Sequence, residues 1–141
     1  MNLYAESSAV LAWLLAEETS PAIEALLDAA QWIVASDLTL AECVRCLIRA
    51  HATGGLSELE MTRRRNALEA SAVHWTLMRI DREVLERALR RFPGEPVRTL
   101  DALHLASALS ARSVIPDLVL LSLDRRVREN GAALGFEVLP A

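Results

Sequence analysis

Short apolar runs alternate with longer amphipathic segments along the whole chain. The short runs predict β-strands at Asn2–Glu6, Trp32–Ala35, His74–Ile80, Leu118–Leu121 and Phe136–Leu139. The longer segments repeat apolar residues at intervals of three or four, which is typical of helices. These predicted helices are Ser8–Ala16, Ser20–Ala30, Leu40–Ala52, Ser57–Ala72, one that carries Val84 and Leu89 and stops near Pro93, Leu100–Arg112 and Arg125–Leu134.

Strands that alternate with helices and are apolar throughout indicate a parallel sheet covered on both faces. We therefore predict the α/β fold class, as a three-layer α/β/α sandwich with a mainly parallel sheet. Leu100–Arg112 is apolar on most of its sides, so this helix should be buried. Ser7 or Ser8 is the expected N-cap of the first helix, because serine side chains cap helices well.

The chain has 141 residues, of which 52% are hydrophobic and 24% are charged, so a disordered chain is excluded. This length suits one domain, and we expect residues 1–141 to form a single one. The longest apolar run, Ala9–Ala16, is too short to cross a bilayer, and no basic residue precedes it as in a signal peptide. We expect a cytoplasmic protein with no membrane partner.

Charge excludes several chemistries. Nineteen acidic and 15 basic residues give a net charge of −4, and every basic residue is arginine. Without lysine, the chain cannot be a P-loop NTPase or a Schiff-base enzyme. The negative balance also argues against a protein that coats nucleic acid by electrostatics alone, although it leaves room for a small nucleic-acid active site.

The two cysteines, Cys43 and Cys46, have the spacing of a CxxC motif. Cys43 falls on an apolar stripe of its predicted helix, which favours a core position over a redox role. A zinc site would need two further ligands, and none of the three histidines is paired at ligand spacing.

Four acidic residues lie where predicted strands end or where the helices after them begin, namely Glu6, Glu42, Asp101 and Asp124. In an open parallel sheet these positions share one edge, and ligands bind there. Close carboxylates repel one another unless a cation lies among them. Oxygen ligands suit Mg²⁺ or Mn²⁺, which could activate water and neutralise a phosphodiester oxygen.

Each acid also has a structural explanation. Glu42 could close a capping box with Thr39, since both would lie in the first turn of the third helix. Asp101 could favour the dipole of its helix, and Asp124 could be an N-cap or turn residue. Glu6 could be a solvated strand end. Their coincidence at one edge favours a shared site.

The stretches around these acids are LYAESSAVLAWLL, SDLTLAECVRCLIRA, RTLDALHLASAL and LLSLDRRVRENGAALGFEVLP. Each stretch is similar to an acidic block of the PIN-domain family. The four blocks occur in the same order as in the family and cover the whole chain, and the third stretch is the most specific. Together they resemble most closely the VapC-type ribonuclease toxins of type II toxin–antitoxin systems. The resemblance implies a metal-dependent endoribonuclease with an α/β/α fold, whose metal-activated water leaves a 5′-phosphate and a 3′-hydroxyl.

The resemblance assigns metal binding and catalysis to Glu6, Glu42, Asp101 and Asp124, with Mg²⁺ or Mn²⁺ as cofactor. It places Ser7, and less strongly Ser122, near the metal or phosphate. Arg98, three residues before Asp101, could contact an RNA phosphate or simply balance the charge of the acids. Arg125, directly after Asp124, is a further candidate for contact with RNA. The resemblance also implies a small antitoxin protein as partner, and a homodimer.

Glu6 departs from the family, which usually has Asp at this position. Its carboxylate reaches about 1.5 Å further, and a misplacement near 1 Å can cost about 100-fold in rate. The alternative is therefore a weak or inactive PIN-like scaffold that binds RNA or an antitoxin-like protein. Receiver-type phosphoacceptors and haloacid-dehalogenase-like phosphatases are disfavoured because they usually need a lysine at the acidic edge. A nucleotide-binding Rossmann protein is disfavoured because no GxGxxG follows the first strand.

Two further sets of residues have open roles. His104 lies three residues after Asp101 and could bind metal or RNA, but an apolar helix favours a packed histidine. The tryptophans Trp13, Trp32 and Trp75 are expected in the core, with a groove for a partner as the alternative for Trp13.

Overall fold

A computed structural model describes residues 1–141 and contains five parallel strands in the order β3-β2-β1-β4-β5. The strands are β1 (Asn2–Ala5), β2 (Trp32–Ser36), β3 (Thr76–Met78), β4 (Leu118–Leu121) and β5 (Val138–Leu139). The helices are α1 (Ser7–Leu14), α2 (Ser20–Ala29), α3 (Asp37–Ala52), α4 (Glu58–Ala72), α5 (Arg82–Ala88), α6 (Thr99–Arg112) and α7 (Arg125–Ala133). This architecture confirms the predicted α/β sandwich.

The central strand β1 is covered on both faces. Leu3 and Ala5 are fully buried among α1 to α4, whereas Tyr4 is fully buried with Leu105 in the core on the opposite face. The alternation follows from the two-residue period of a strand, which turns successive side chains to opposite faces. Both faces of β1 are therefore buried, which explains why Leu3, Tyr4 and Ala5 are large or apolar without a charged residue among them.

Helix α6 packs against α5 and α7 on one face of the sheet, while α1 to α4 pack together on the other. Eight of its fourteen residues are buried, so the prediction of a buried helix is confirmed. Asp101 and His104 are among these eight. Burial of polar side chains needs partners, and those partners lie in the site described below.

Two predicted helix starts are wrong. The N-cap of α1 is Glu6, not Ser7 or Ser8, because its longer side chain accepts a hydrogen bond from the Ser8 backbone. Helix α3 begins at Asp37 with Ser36 as its N-cap, directly after β2. Thr39 and Glu42 therefore form no capping box, and Glu42 lies in the second turn rather than the first.

Residues expected in the core have mixed outcomes. Cys43 is fully buried, as predicted, and both cysteines are free. Trp32 is 47% exposed, so its assignment to the core is wrong. It is the first residue of β2, at the amino edge of the sheet. No helix is both long and apolar enough to cross a membrane.

Candidate active site

The four acidic residues lie at the carboxyl edge of three neighbouring strands. Glu6 joins β1 to α1, Glu42 lies on α3 after β2, and Asp124 joins β4 to α7. Asp101 reaches the same edge from the first turn of α6. The carboxylates form two linked pairs, Glu6 with Glu42 and Asp101 with Asp124.

Glu6 is buried, and its carboxylate is saturated with donors. Oε1 accepts from Ser7 Oγ at 2.8 Å and from the Ser8 backbone amide at 3.1 Å. Oε2 accepts from Ser122 Oγ at 2.7 Å and from the Ser8 hydroxyl. Two carboxylate oxygens offer about four acceptor positions. All of them are used here, so Glu6 has none left for a metal ion in this arrangement.

Glu42 is held by Ser7 and by the buried His104. Its Oε1 lies 2.5 Å from His104 Nε2 and 3.0 Å from Ser7 Oγ, whose single proton is shared between Glu42 and Glu6. The other ring nitrogen, Nδ1, lies 3.2 Å from the hydroxyl of the fully buried Tyr4. Burial raises the pKa of Glu42, but hydrogen bonding and the charge of His104, together with Ser7, bring that pKa below its ordinary value. Glu42 is therefore held in its charged form, with Oε2 free.

Asp101 and Asp124 are linked by one guanidinium group. Arg98 Nε lies 3.3 Å from Asp101 Oδ2, and its Nη2 lies 4.0 Å from Asp124 Oδ2. Burial, followed by the charge of Asp124, raises the pKa of Asp101, while Arg98 opposes the rise. Asp124 is also the N-cap of α7, since its Oδ1 accepts from the Val127 amide at 3.0 Å. Its predicted capping role is therefore present beside its place in the site.

Ser8 connects the two halves of this edge and was missed in the sequence as a site residue. Its hydroxyl contacts Glu6 and accepts from the backbone amides of Leu123 at 2.8 Å and Asp124 at 3.0 Å. Only the fold brings these amides to it, because they lie more than 110 residues away along the chain. His104, expected simply to pack, turns out to bridge Tyr4 and Glu42.

The arginines near Asp124 differ in their positions. Arg125, predicted to contact RNA, is largely exposed and pairs with Glu129 on its own helix at 3.4 Å. Arg126 donates to the Pro96 carbonyl, and Arg128 donates to the Ser122 and Pro140 carbonyls at 2.7 and 2.8 Å. Of the two predicted arginines, only Arg98 contacts the carboxylates of the candidate site, those of Asp101 and Asp124.

Two open cavities meet at Glu42. One, of about 340 Å³, runs from Glu42 to Arg98 and Asp101. The other, of about 360 Å³, runs along α3 past Arg45 and Arg49. These two arginines were not singled out in the sequence, although Glu42, Arg45 and Arg49 recur at helical spacing on one face of α3.

The sequence of residues 3–132 matches the family model described as PIN domain. The chain belongs to the PIN-domain family. Ribonuclease VapC46 of Mycobacterium tuberculosis is 31% identical over 137 residues, which span 97% of this chain and 95% of the relative. Ribonuclease VapC35 of the same organism is 35% identical over 94 residues, or 62% of this chain and 70% of the relative. This PIN domain is thus related to VapC proteins over nearly its full length.

Solved structures share the fold. A toxin–antitoxin complex from Klebsiella pneumoniae contains a chain that matches with a TM-score of 0.65 and 14% identity, covering 99% of this chain and 97% of the other. VapC20 of M. tuberculosis, described as a toxin that cleaves the sarcin–ricin loop, matches with a TM-score of 0.64 and 13% identity, covering 95% of both chains. These likenesses support the PIN fold of this chain.

The four acids of this PIN domain are the type of ligand that a hard divalent cation prefers, but their side chains do not converge on one point. All four acids offer oxygen ligands, as Mg²⁺ and Mn²⁺ prefer. Burial, followed by the charge of Asp124, raises the pKa of Asp101, and a nearby cation would favour its ionised form. No three His, Cys, Asp or Glu side chains converge closely enough to hold an ion as they stand. The saturated Glu6 and the His104-bound Glu42 account for this divergence.

Proposed function

We propose that this PIN domain is a metal-dependent endoribonuclease that acts as the toxin of a toxin–antitoxin pair. The observation that carries the proposal is the pair Asp101 and Asp124 at the carboxyl edge, with Glu42 lining the same cavity as Asp101. Its relatives over most of its length are named ribonucleases, which supports an RNA substrate.

Asp101 and Asp124 would hold Mg²⁺ or Mn²⁺ with their carboxylates, and Glu42 would contribute its free Oε2. Glu6 would join them only after a serine hydroxyl releases one of its oxygens. When bound, the cation would neutralise charge on the scissile phosphodiester and lower the pKa of a water molecule. The expected products carry a 5′-phosphate and a 3′-hydroxyl.

The protein's own residues would position the RNA. Arg98 Nε already lies 3.3 Å from Asp101, so a phosphate that reaches the acids also reaches this guanidinium. Arg45 and Arg49 line the adjoining cavity and would contact the next part of the RNA backbone. Ser7 and Ser122 would act through the carboxylates they bind, since both hydroxyls donate to Glu6. Arg125 would remain a peripheral contact.

The same function implies partners. We propose a small antitoxin protein that inhibits the nuclease, a homodimer as the assembly, and the cytoplasm as the location. A neighbour that shares the fold comes from a toxin–antitoxin complex, which supports an antitoxin partner. Residues 1–141 would act as one domain.

One observation favours a second candidate, a scaffold that binds RNA or an antitoxin-like protein without cutting. Every acceptor position of Glu6 is occupied by serine donors. If these bonds persist when a cation binds, one ligand is lost and cleavage is slow.

The test is incubation of the purified chain with a total-RNA pool in Mn²⁺, in Mg²⁺ and in EDTA, followed by sequencing of new 5′ ends. Asp101→Asn is the test variant, and Asp117→Asn, on the exposed amino edge, is its matched control. The proposal expects metal-dependent 5′-phosphate ends with the wild type and Asp117→Asn, and none with Asp101→Asn. Equal cutting by Asp101→Asn would contradict it. Calorimetric Mn²⁺ binding without any cutting would favour the scaffold.

A further inference from the structure

All three tryptophans of the chain line one cavity of about 490 Å³. Trp32 is the first residue of β2, Trp75 immediately precedes β3, and Trp13 lies near the end of α1. Because the strands are parallel, the amino ends of β2 and β3 lie at the edge of the sheet opposite the acids. The nuclease proposal does not use this cavity.

The charge of the cavity is negative. Glu24 and Asp28 line it from α2 and are exposed, with no hydrogen bond or ion pair to their side chains. They stand four residues apart on one helix face, where like charges destabilise a helix. The lining contains no arginine, and its remaining titratable residue is His74.

The aromatic faces lack a cation as well. Arg87 lies 4.4 Å from the ring centre of Phe92, and Arg112 lies 3.9 Å from that of Phe136. These contacts use both phenylalanines of the chain. Indole attracts cations more strongly than phenyl does, yet none of the 15 arginines lies over a tryptophan.

We propose that the cavity lined by Trp13, Trp32 and Trp75 binds a single organic cation, a quaternary ammonium or guanidinium group. The indole rings would contact the apolar flanks and positive charge of the ligand, and Glu24 and Asp28 would neutralise it. The cation could be a free small molecule or an arginine side chain of a peptide. The proposal is independent of RNA cleavage.

The test is titration calorimetry with choline and with Nα-acetyl-arginine amide. Each is paired with an uncharged isostere, the carbon analogue of choline or Nα-acetyl-citrulline amide. We expect saturable binding of at least one cation, roughly five-fold tighter than its isostere. Choline alone would indicate a free ligand, and the arginine amide alone a peptide. Binding of neither cation, or equal binding of the isosteres, would overturn the proposal.

Variants separate charge from apolar contact. Glu24→Gln with Asp28→Asn should weaken cation binding roughly three-fold. Glu58→Gln with Glu137→Gln, which changes the same net charge outside the cavity, should leave it unaltered. Trp32→Leu keeps apolar surface at an exposed position and should reduce the preference over the isostere. Retention of that preference in both the Glu24/Asp28 and the Trp32 variants would contradict the site.

Discussion

His104 Nε2, on α6, lies 2.5 Å from Glu42 Oε1, on α3. An ionised carboxylate can only accept, so Nε2–H donates this bond. The ring itself is fixed from behind by the Tyr4 hydroxyl, 3.2 Å from Nδ1. A buried chain of hydrogen bonds thus sets where Glu42 points, and His104 acts as its positioning residue.

His104→Phe should test this role, because it keeps a ring of similar size and removes both nitrogens. We expect the pKa of Glu42 to rise, since the main group that lowers it is lost. The Tyr4 hydroxyl would also lose its bond to Nδ1, which should cost about 1 kcal/mol of unfolding free energy. Carboxyl NMR titration and urea denaturation measure the two effects. Tyr4→Phe is the control and should leave Glu42 bonded to His104. An unchanged Glu42 pKa in His104→Phe would contradict the proposed role of His104 as the positioning residue.

Glu6→Asp should strengthen metal binding. The shorter side chain still suits an N-cap, but it cannot reach all the donors that now saturate Glu6. Oxygen acceptor positions are then released toward Asp101 and Asp124. Calorimetry with Mn²⁺ should show tighter binding than in the wild type. Glu137→Asp is the matched control, and equal affinity in Glu6→Asp would mean that the serine bonds open without appreciable cost.

Asp101→Asn should abolish cleavage and yet stabilise the metal-free fold. Because burial and then Asp124 raise the pKa of Asp101, its ionisation costs folding free energy. That cost is absent at acid pH, where the carboxyl is protonated in both states, and grows as pH rises from its ordinary pKa through the raised one. The lost pairing with the exposed Arg98 offsets little of it.

The Tm of Asp101→Asn should therefore exceed that of the wild type at pH 7 in EDTA, and the gap should close below about pH 4. Thermal denaturation across this pH range measures it. Added Mn²⁺ should raise the Tm of the wild type more than that of the variant. A variant that is less stable at pH 7 than at pH 4, relative to the wild type, would refute the raised pKa of Asp101.

Ser8→Ala should destabilise the junction between β4 and α7. Its hydroxyl is the acceptor for two backbone amides, those of Leu123 and Asp124. The Asp124 amide keeps Ser122 Oγ, at 3.2 Å, as a second acceptor. The variant therefore leaves the Leu123 amide unpaired, which costs about 2 kcal/mol. Urea denaturation measures the loss, with Ser110→Ala as the control at a helix position whose hydroxyl makes no hydrogen bond. Similar stability of the two variants would show that water replaces the serine.

Local patterns were enough to predict the elements that pack on apolar faces. The continuous apolar run Leu118–Leu121 forms β4 with all four residues buried, and α6 is buried as its composition indicates. The start of α3 was misplaced because Ser36 and Thr39 are both good caps. The choice depends on where β2 ends, and Thr39 instead donates to the Ala5 carbonyl at 3.2 Å.

The sequence also predicted that the four acids share one edge of the sheet, because they lie at strand ends or helix starts. It did not predict the direction in which each carboxylate points. Glu6 turns toward Ser122, which lies 116 residues away along the chain, and no local pattern encodes that contact. Trp32 was misplaced for a related reason. Hydrophobicity predicts burial, but the amino end of β2 opens into a cavity.

Because β1 lies in the centre of the sheet, its two neighbouring strands are synthesised at different times. One flank pairs with β2 early in the chain, while the other waits for β4 at residues 118–121. A growing polypeptide that stops before Leu118 leaves this flank as an open sheet edge. It also leaves Glu6 without Ser122, and Asp101 without Asp124. The four acidic residues therefore come together at one edge only after β4 and Asp124 have been synthesised and the sheet is complete.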